Sequence, residues 1–207
     1  MNKEELINKA ECIVKKKIAG YDSGHDWWHI TRVRNLSKYI NDRENLEDSF
    51  LVDLAALFHD YGDSKFSGNN HEECYLEINK FLNDNGLGDL NNRITDIMKN
   101  VSFSSKMRSG NIEDPVLLII QDADKLDAMG AIGIARAFNY GGFRNNLIYS
   151  PVKEENKNST INHFYEKLLL LKSMLHTETA RVIAHERHEI MEVFLRQFYK
   201  EWNFNGV

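Results

Sequence analysis

The sequence contains few cysteines. Two cysteines, Cys12 and Cys74, occur among 207 residues, with no paired spacing. This argues against a disulfide framework or a thiolate metal site and favours a reducing compartment, the cytoplasm. No apolar run approaches the roughly 20 residues of a membrane-spanning helix, and the N-terminus lacks the continuous apolar segment of a signal peptide. We therefore expect an unprocessed protein with no membrane partner.

Positive charge is also scarce. The chain has 26 Lys and Arg against 31 Asp and Glu, a formal net charge of −5. Nucleic-acid binding relies on clustered Lys and Arg that release counterions, so this balance argues against bulk nucleic-acid binding and favours a small-molecule partner. A glycine-rich phosphate loop of the GxxxxGK type is absent too, which argues against a P-loop enzyme.

Proline occurs only at Pro115 and Pro151, and apolar residues return every three or four positions along most of the chain. This period is typical of amphipathic helices, and the length suits one domain, so we predict a single all-α domain. The predicted helices span about 3–18, 26–41, 47–61, 70–84, 90–101, 113–125, 127–139, 160–175 and 177–202.

Two segments between the predicted helices look irregular, 102–111 and the longer 139–159. The second contains Gly141, Gly142 and Pro151. A compact domain seldom keeps so long a loop without use. A lid over a substrate pocket and a surface excursion are both compatible with its composition.

His59 and Asp60 end a predicted helix that is otherwise apolar nearly all round. Burying an imidazole and a carboxylate without partners is costly, and a divalent cation would satisfy both. The dipeptide alone favours a core histidine beside a helix-terminal aspartate. Two more residues favour the metal: His29 upstream and Asp124 downstream, each on a predicted helix able to face the central one.

The order His, His-Asp, Asp resembles that of the HD-domain phosphohydrolases. The resemblance is closer still to small bacterial HD proteins with nucleoside triphosphate pyrophosphohydrolase activity, and it covers most of the chain. The phrases that carry it lie at His25 to Val33, His59 to Lys65, Asp122 to Gly133 and Asn162 to Leu168. It implies one helical HD-domain bundle over 1–207, with a metal-site core at about 20–140 and a C-terminal helical pair at about 160–202.

By this resemblance the metal ligands are His29, His59, Asp60 and Asp124. Two imidazoles and two carboxylates suit transition metals rather than calcium. We expect Mn²⁺, with Mg²⁺, Ni²⁺, Co²⁺, Fe²⁺ or Zn²⁺ as alternatives. Such a cation would activate water and accept charge on a phosphoryl oxygen, which predicts a divalent-metal-dependent phosphohydrolase.

The expected substrate is a nucleotide, a nucleoside or deoxynucleoside triphosphate cut to the monophosphate and pyrophosphate. Phosphomonoester and alarmone hydrolysis are alternatives within the same metal chemistry. A regulatory module that binds nucleotide and scarcely turns over is an alternative from another class.

The resemblance also places Asp63 and Lys65 at the pocket as catalytic residues. Asp63 would orient or deprotonate the attacking water. Lys65 would offer a charge to a substrate phosphate, although a lysine just past a helix end is equally often solvated.

Four residues are substrate-binding candidates: His25, Arg136, His163 and Lys167. The last two are spaced i, i+4 on one predicted helical face, and the resemblance implies contact with the triphosphate. A partly buried histidine beside an exposed lysine is the alternative, and His25 could simply precede a helix. For Asp26 a helix-capping role is favoured.

Near the C-terminus, the run from His185 to Glu189 is interpreted as a solvated, charged helix face without chemistry. Apolar residues at helical spacing follow it, at Phe194, Leu195, Phe198 and Trp202. They predict either core or a self-association face, and the second alternative would make the chain a homodimer.

Overall fold

A computed structural model describes residues 2–19, 26–62, 70–101 and 113–204 of the chain. Every regular element in these ranges is helical, which confirms the all-α fold. The chain divides into two compact units, Met1–Ala123 and Asp124–Val207. No helix in the described ranges is both long and apolar enough to cross a membrane.

In chain order the described α-helices are α1 (Lys3–Lys17), α2 (Trp27–Glu44), α3 (Ser49–Phe58), α4 (His71–Asp84), α5 (Asn91–Asn100), α6 (Pro115–Asp127), α7 (Gly130–Phe143), α8 (Lys153–Asn156), α9 (Thr160–Glu166) and α10 (Glu178–Asn203). Two 3₁₀ helices accompany them, η1 (Gly88–Leu90) and η2 (Leu168–Met174).

Aspartates cap the helices that carry the predicted ligands of the first unit. The Asp26 carboxylate accepts a hydrogen bond from the backbone N–H of His29 at 2.8 Å, which confirms the capping role of Asp26 and starts α2. The Asp48 carboxylate accepts from the N–H of Phe50 at 2.7 Å and starts α3. Each cap satisfies a backbone donor that has no partner within its helix. His29 is thereby fixed in the first turn of α2.

Helix α3 lies at the centre of the first unit. All residues from Leu51 to Phe58 are buried, and the helix packs against α1, α2 and α5. Phe58 is fully buried, and its ring centroid lies 5.7 Å from that of Phe81 on α4. A helix that is apolar on nearly every side is stable only when surrounded, so the sequence of α3 dictates its central position.

One carboxylate interrupts this apolar helix. Asp53 is 7% exposed and is paired with the Arg34 guanidinium of α2, whose Nη2 donates to Asp53 Oδ2 at 2.9 Å. The same guanidinium binds Glu11 of α1. A buried carboxylate without such a partner would be strongly destabilising. The pairing therefore joins α1, α2 and α3 around Asp53, a residue that the apolar pattern of α3 would not predict at a buried position.

A second ion pair anchors the start of α6. The Asp114 carboxylate accepts from the backbone N–H of Val116 at 2.8 Å, and Arg93 Nε donates to it at 2.6 Å. Burial alone would raise the pKa of Asp114, but the Arg93 guanidinium and the backbone donors outweigh it and hold that pKa below its ordinary value of 3.8.

Asp114→Asn is therefore expected to lower the free energy of unfolding near neutral pH by about 1–3 kcal/mol, because a charge-assisted pair is lost. A carboxyl with a lower pKa when folded stabilises the fold above its unfolded pKa, and the contribution disappears as pH falls through the folded pKa. The difference between variant and parent should thus shrink below about pH 4 in urea titrations at a series of pH values. Asp84→Asn is the control, since that side chain is 59% exposed, and an equal loss there would contradict the assignment.

The second unit is organised around α10. This helix packs against α7 and η2, and α9 packs against the same two elements. Rings from three helices meet in its interior: the Phe194 centroid lies 5.7 Å from those of Phe138 and Phe164. Leu195 is also buried, whereas Trp202 is 47% exposed. Of the predicted apolar stripe, Leu195 is core of this unit, and Phe194 and Phe198 are partly buried.

The predicted irregular segment 139–159 is shorter in the structure. Helix α7 continues through Gly141 and Gly142 to Phe143, and α8 occupies part of the remainder. Gly141 is needed for close packing rather than for a turn, because a Cβ there would lie 2.1 Å from Thr160 Oγ1. The helix predicted over 160–175 is also wrong in its second half, which is the 3₁₀ helix η2.

Candidate metal centre

His59 occupies the C-cap position of α3 and is 2% exposed. Its Nδ1 lies 2.7 Å from the backbone oxygen of Ala56. Because a carbonyl can only accept, this contact assigns the proton to Nδ1 and leaves a lone pair on Nε2. Nε2 is buried and has no hydrogen-bond partner among the described residues. A buried acceptor of this kind needs a hydrogen-bond donor or an electrophile, and a metal cation would meet that need.

His29 and Asp60 lie beside this lone pair. His29 is fully buried, and its ring centroid is 5.5 Å from that of His59. The Asp60 carboxylate is 8% exposed, with Oδ2 at 3.3 Å from His29 Nε2 and 3.5 Å from His59 Nε2. Two imidazoles and one carboxylate of the first unit therefore converge, supplied by the first turn of α2 and the end of α3.

Asp124 is carried by the last turn of α6, an unbroken helix that begins in the first unit. It belongs to the second unit, whereas the other three predicted ligands, His29, His59 and Asp60, belong to the first.

The segment after Asp124 is held by two arginines of the second unit. Arg136 Nη1 donates to Asp127 Oδ2 at 2.8 Å, and Asp127 is 1% exposed. Arg187 Nη1 donates to the backbone oxygen of Leu126 at 2.6 Å, at the end of α6 where carbonyls lack helical partners. These contacts fix the turn that presents the Asp124 side chain.

Arg187 corrects part of the sequence interpretation, which treated the run from His185 to Glu189 as a solvated face. Arg187 is partly buried, because Gly130, at φ +69°, lets it approach closely. A Cβ at position 130 would lie 3.0 Å from Arg187 Cγ. The glycine was the signal in the sequence, but nothing in the sequence names the residue that packs against it.

The other predicted site residues, those for catalysis and substrate binding, lie in different surroundings. Arg136 is the partner of buried Asp127. His163 is partly buried on α9, and burial, reinforced by Lys167, lowers the pKa of His163. Lys167 follows α9 and is exposed. His25, Asp63 and Lys65 lie outside the described residues.

Comparison with known proteins identifies the family of this chain. The HD domain family model matches residues 27–129. The Bacillus subtilis protein YpgQ is 38% identical over 206 residues, covering 94% of each sequence. The crystal structure of YpgQ in complex with ADP superposes with a TM-score of 0.78 at 35% identity, over 97% of each chain.

Two further crystal structures match at similar levels. The Lin1889 protein of Listeria innocua is 40% identical, with a TM-score of 0.80 over 98% of each chain. An HD-superfamily hydrolase of Bacillus thuringiensis is 36% identical, with a TM-score of 0.79 over 98% of this chain and 99% of its own.

The chain therefore belongs to the HD domain family. Its HD-superfamily hydrolase fold, together with the group of His and Asp side chains, supports a metal-dependent phosphohydrolase.

Proposed function

We propose that this chain hydrolyses nucleoside or deoxynucleoside triphosphates to the monophosphate and pyrophosphate, with Mn²⁺ held by His29, His59, Asp60 and Asp124. The observation that carries the proposal is the buried Nε2 lone pair of His59, which faces a second imidazole and a carboxylate. A nucleotide substrate is supported by the YpgQ structure, which was determined in complex with ADP.

When bound, a divalent cation supplies Lewis-acid stabilisation of a phosphoryl oxygen and activates a water molecule. The protein contributes the orientation of the ligands. The Ala56 carbonyl fixes the His59 ring, and the Asp26 cap fixes the backbone of His29. Burial of these side chains excludes bulk water and strengthens every charge interaction inside the site.

The other site residues are proposals from the family resemblance. Asp63 would orient or deprotonate the attacking water, and Lys65 would contact a phosphate. His25, His163 and Lys167 would bind the substrate. Arg136 would do so while keeping its bond to Asp127, since a guanidinium has several donors and one carboxylate does not occupy all of them.

The test is a product analysis with controlled metal content. Chelator-treated protein is given Mn²⁺ and a panel of nucleoside and deoxynucleoside triphosphates, and ³¹P NMR distinguishes pyrophosphate from orthophosphate. Pyrophosphate should appear only with metal. Release of orthophosphate alone would indicate cleavage of the terminal phosphoanhydride and contradict the pyrophosphohydrolase proposal, and calorimetric nucleotide binding without product over hours would indicate a regulatory module.

A further inference from the structure

The second unit contains a cavity of about 400 Å³ between the end of α7 and the start of α9. Tyr140 and Gly141 form one wall, and Thr160 and His163 belong to the other. The walls meet where a Cβ on Gly141 would lie 2.1 Å from Thr160 Oγ1. The Thr160 backbone N–H also donates to Leu147 O at 2.9 Å, which pins the connecting segment. The volume is in the range of small-molecule sites.

The polar side chains at this cavity include several hydrogen-bond donors. Arg144, Asn146 and Asn158 line it, and no hydrogen bond or ion pair engages their side chains within the described part of the chain. An arginine fork and two amides offer several N–H groups toward one space. Their common chemical complement is an oxyanion.

Cationic side chains outnumber carboxylates in the cavity lining. Arg144 and Lys157 are cationic, and Glu166 is the one carboxylate among the lining residues that the structure describes. Lys157 Nζ lies 2.6 Å from Glu154, but both side chains are mostly exposed, at 59% and 75%. A surface pair of this kind is weak, so Lys157 remains available to a more strongly charged anion.

We infer that this cavity binds the phosphoryl groups of a nucleotide or of pyrophosphate, with Arg144 as the principal contact. A guanidinium matches two phosphoryl oxygens at once, Lys157 adds a point charge, and the two asparagine amides complete the set of donors. The choice of ligand rests on the proposed function, but binding at this cavity needs no metal. The inference and the hydrolysis can therefore fail separately.

Calorimetry in the presence of chelator tests it. Pyrophosphate, ADP and adenosine are titrated into the parent chain and into Arg144→Gln. Loss of a charge-assisted contact should weaken pyrophosphate and ADP binding about tenfold or more, while adenosine should bind negligibly to both. Tighter binding of ADP would identify a nucleotide as the ligand, and tighter binding of pyrophosphate would identify the free anion. Either result supports binding of phosphoryl groups at this cavity.

Two variants separate this site from the metal centre. Asp60→Ala should keep metal-free pyrophosphate binding, and Arg196→Gln, which removes an exposed arginine of α10, should keep it as well. The inference is overturned if pyrophosphate does not bind the parent chain, or if Arg144→Gln binds as the parent does. It is also overturned if Asp60→Ala loses binding, or if adenosine binds as tightly as ADP. Because Arg144 is exposed, its replacement should leave the melting temperature unchanged and the comparison valid.

Discussion

Asp60→Ala should reduce metal-dependent pyrophosphate release to background. The Asp60 carboxylate lies within 3.5 Å of both imidazole Nε2 atoms. Without it a cation beside the two imidazole nitrogens would lose an anionic ligand. Loss of an outer-shell partner costs about 10- to 100-fold in affinity or activity, and a direct ligand should cost more.

The measurement for Asp60→Ala is metal affinity by calorimetry together with the rate of pyrophosphate release. Asp42→Ala provides the matched control, since it removes an exposed aspartate from α2 and should leave both quantities at the parent level. Full turnover in Asp60→Ala would remove this carboxylate from the ligand set.

Phe58→Ala should lower the free energy of unfolding by about 3–5 kcal/mol, which is typical for a fully buried aromatic side chain. Phe58 is completely buried on the central helix, and its ring contacts those of Tyr61 and Phe81. Urea unfolding monitored by circular dichroism gives the change in free energy. Phe143→Ala is the control, because Phe143 is 67% exposed and its loss should change stability by less than about 0.5 kcal/mol. Equal effects of the two variants would contradict the central position of Phe58.

The features of the site that could be predicted from the sequence are local ones. An unbroken apolar run followed by His59 and Asp60 predicts a buried helix that ends in two polar groups, and α3 has that form. Asp26, just before the apolar pair Trp27 and Trp28, predicts a cap, and its carboxylate makes the expected bond. These patterns depend on residues within one or two turns, where helical geometry fixes the neighbours.

The features that could not be predicted depend on residues distant in the sequence. Gly141 is a residue type that favours turns, yet it lies inside α7, where Thr160 packs closely against it. Arg187 looks like a surface residue until the bond to Leu126 is seen. In both cases a partner some 19 to 61 positions away decides the outcome, and no periodicity carries that information.

The bond between His59 Nδ1 and the Ala56 carbonyl has one further consequence. The acceptor is a main-chain atom, so no replacement of a side chain at position 56 can delete it, provided that the helix still forms. The His59 ring loses its rotational freedom when the protein folds. Little further conformational entropy is therefore lost when a ligand binds. The His59 ring should therefore keep its orientation through mutational drift at position 56.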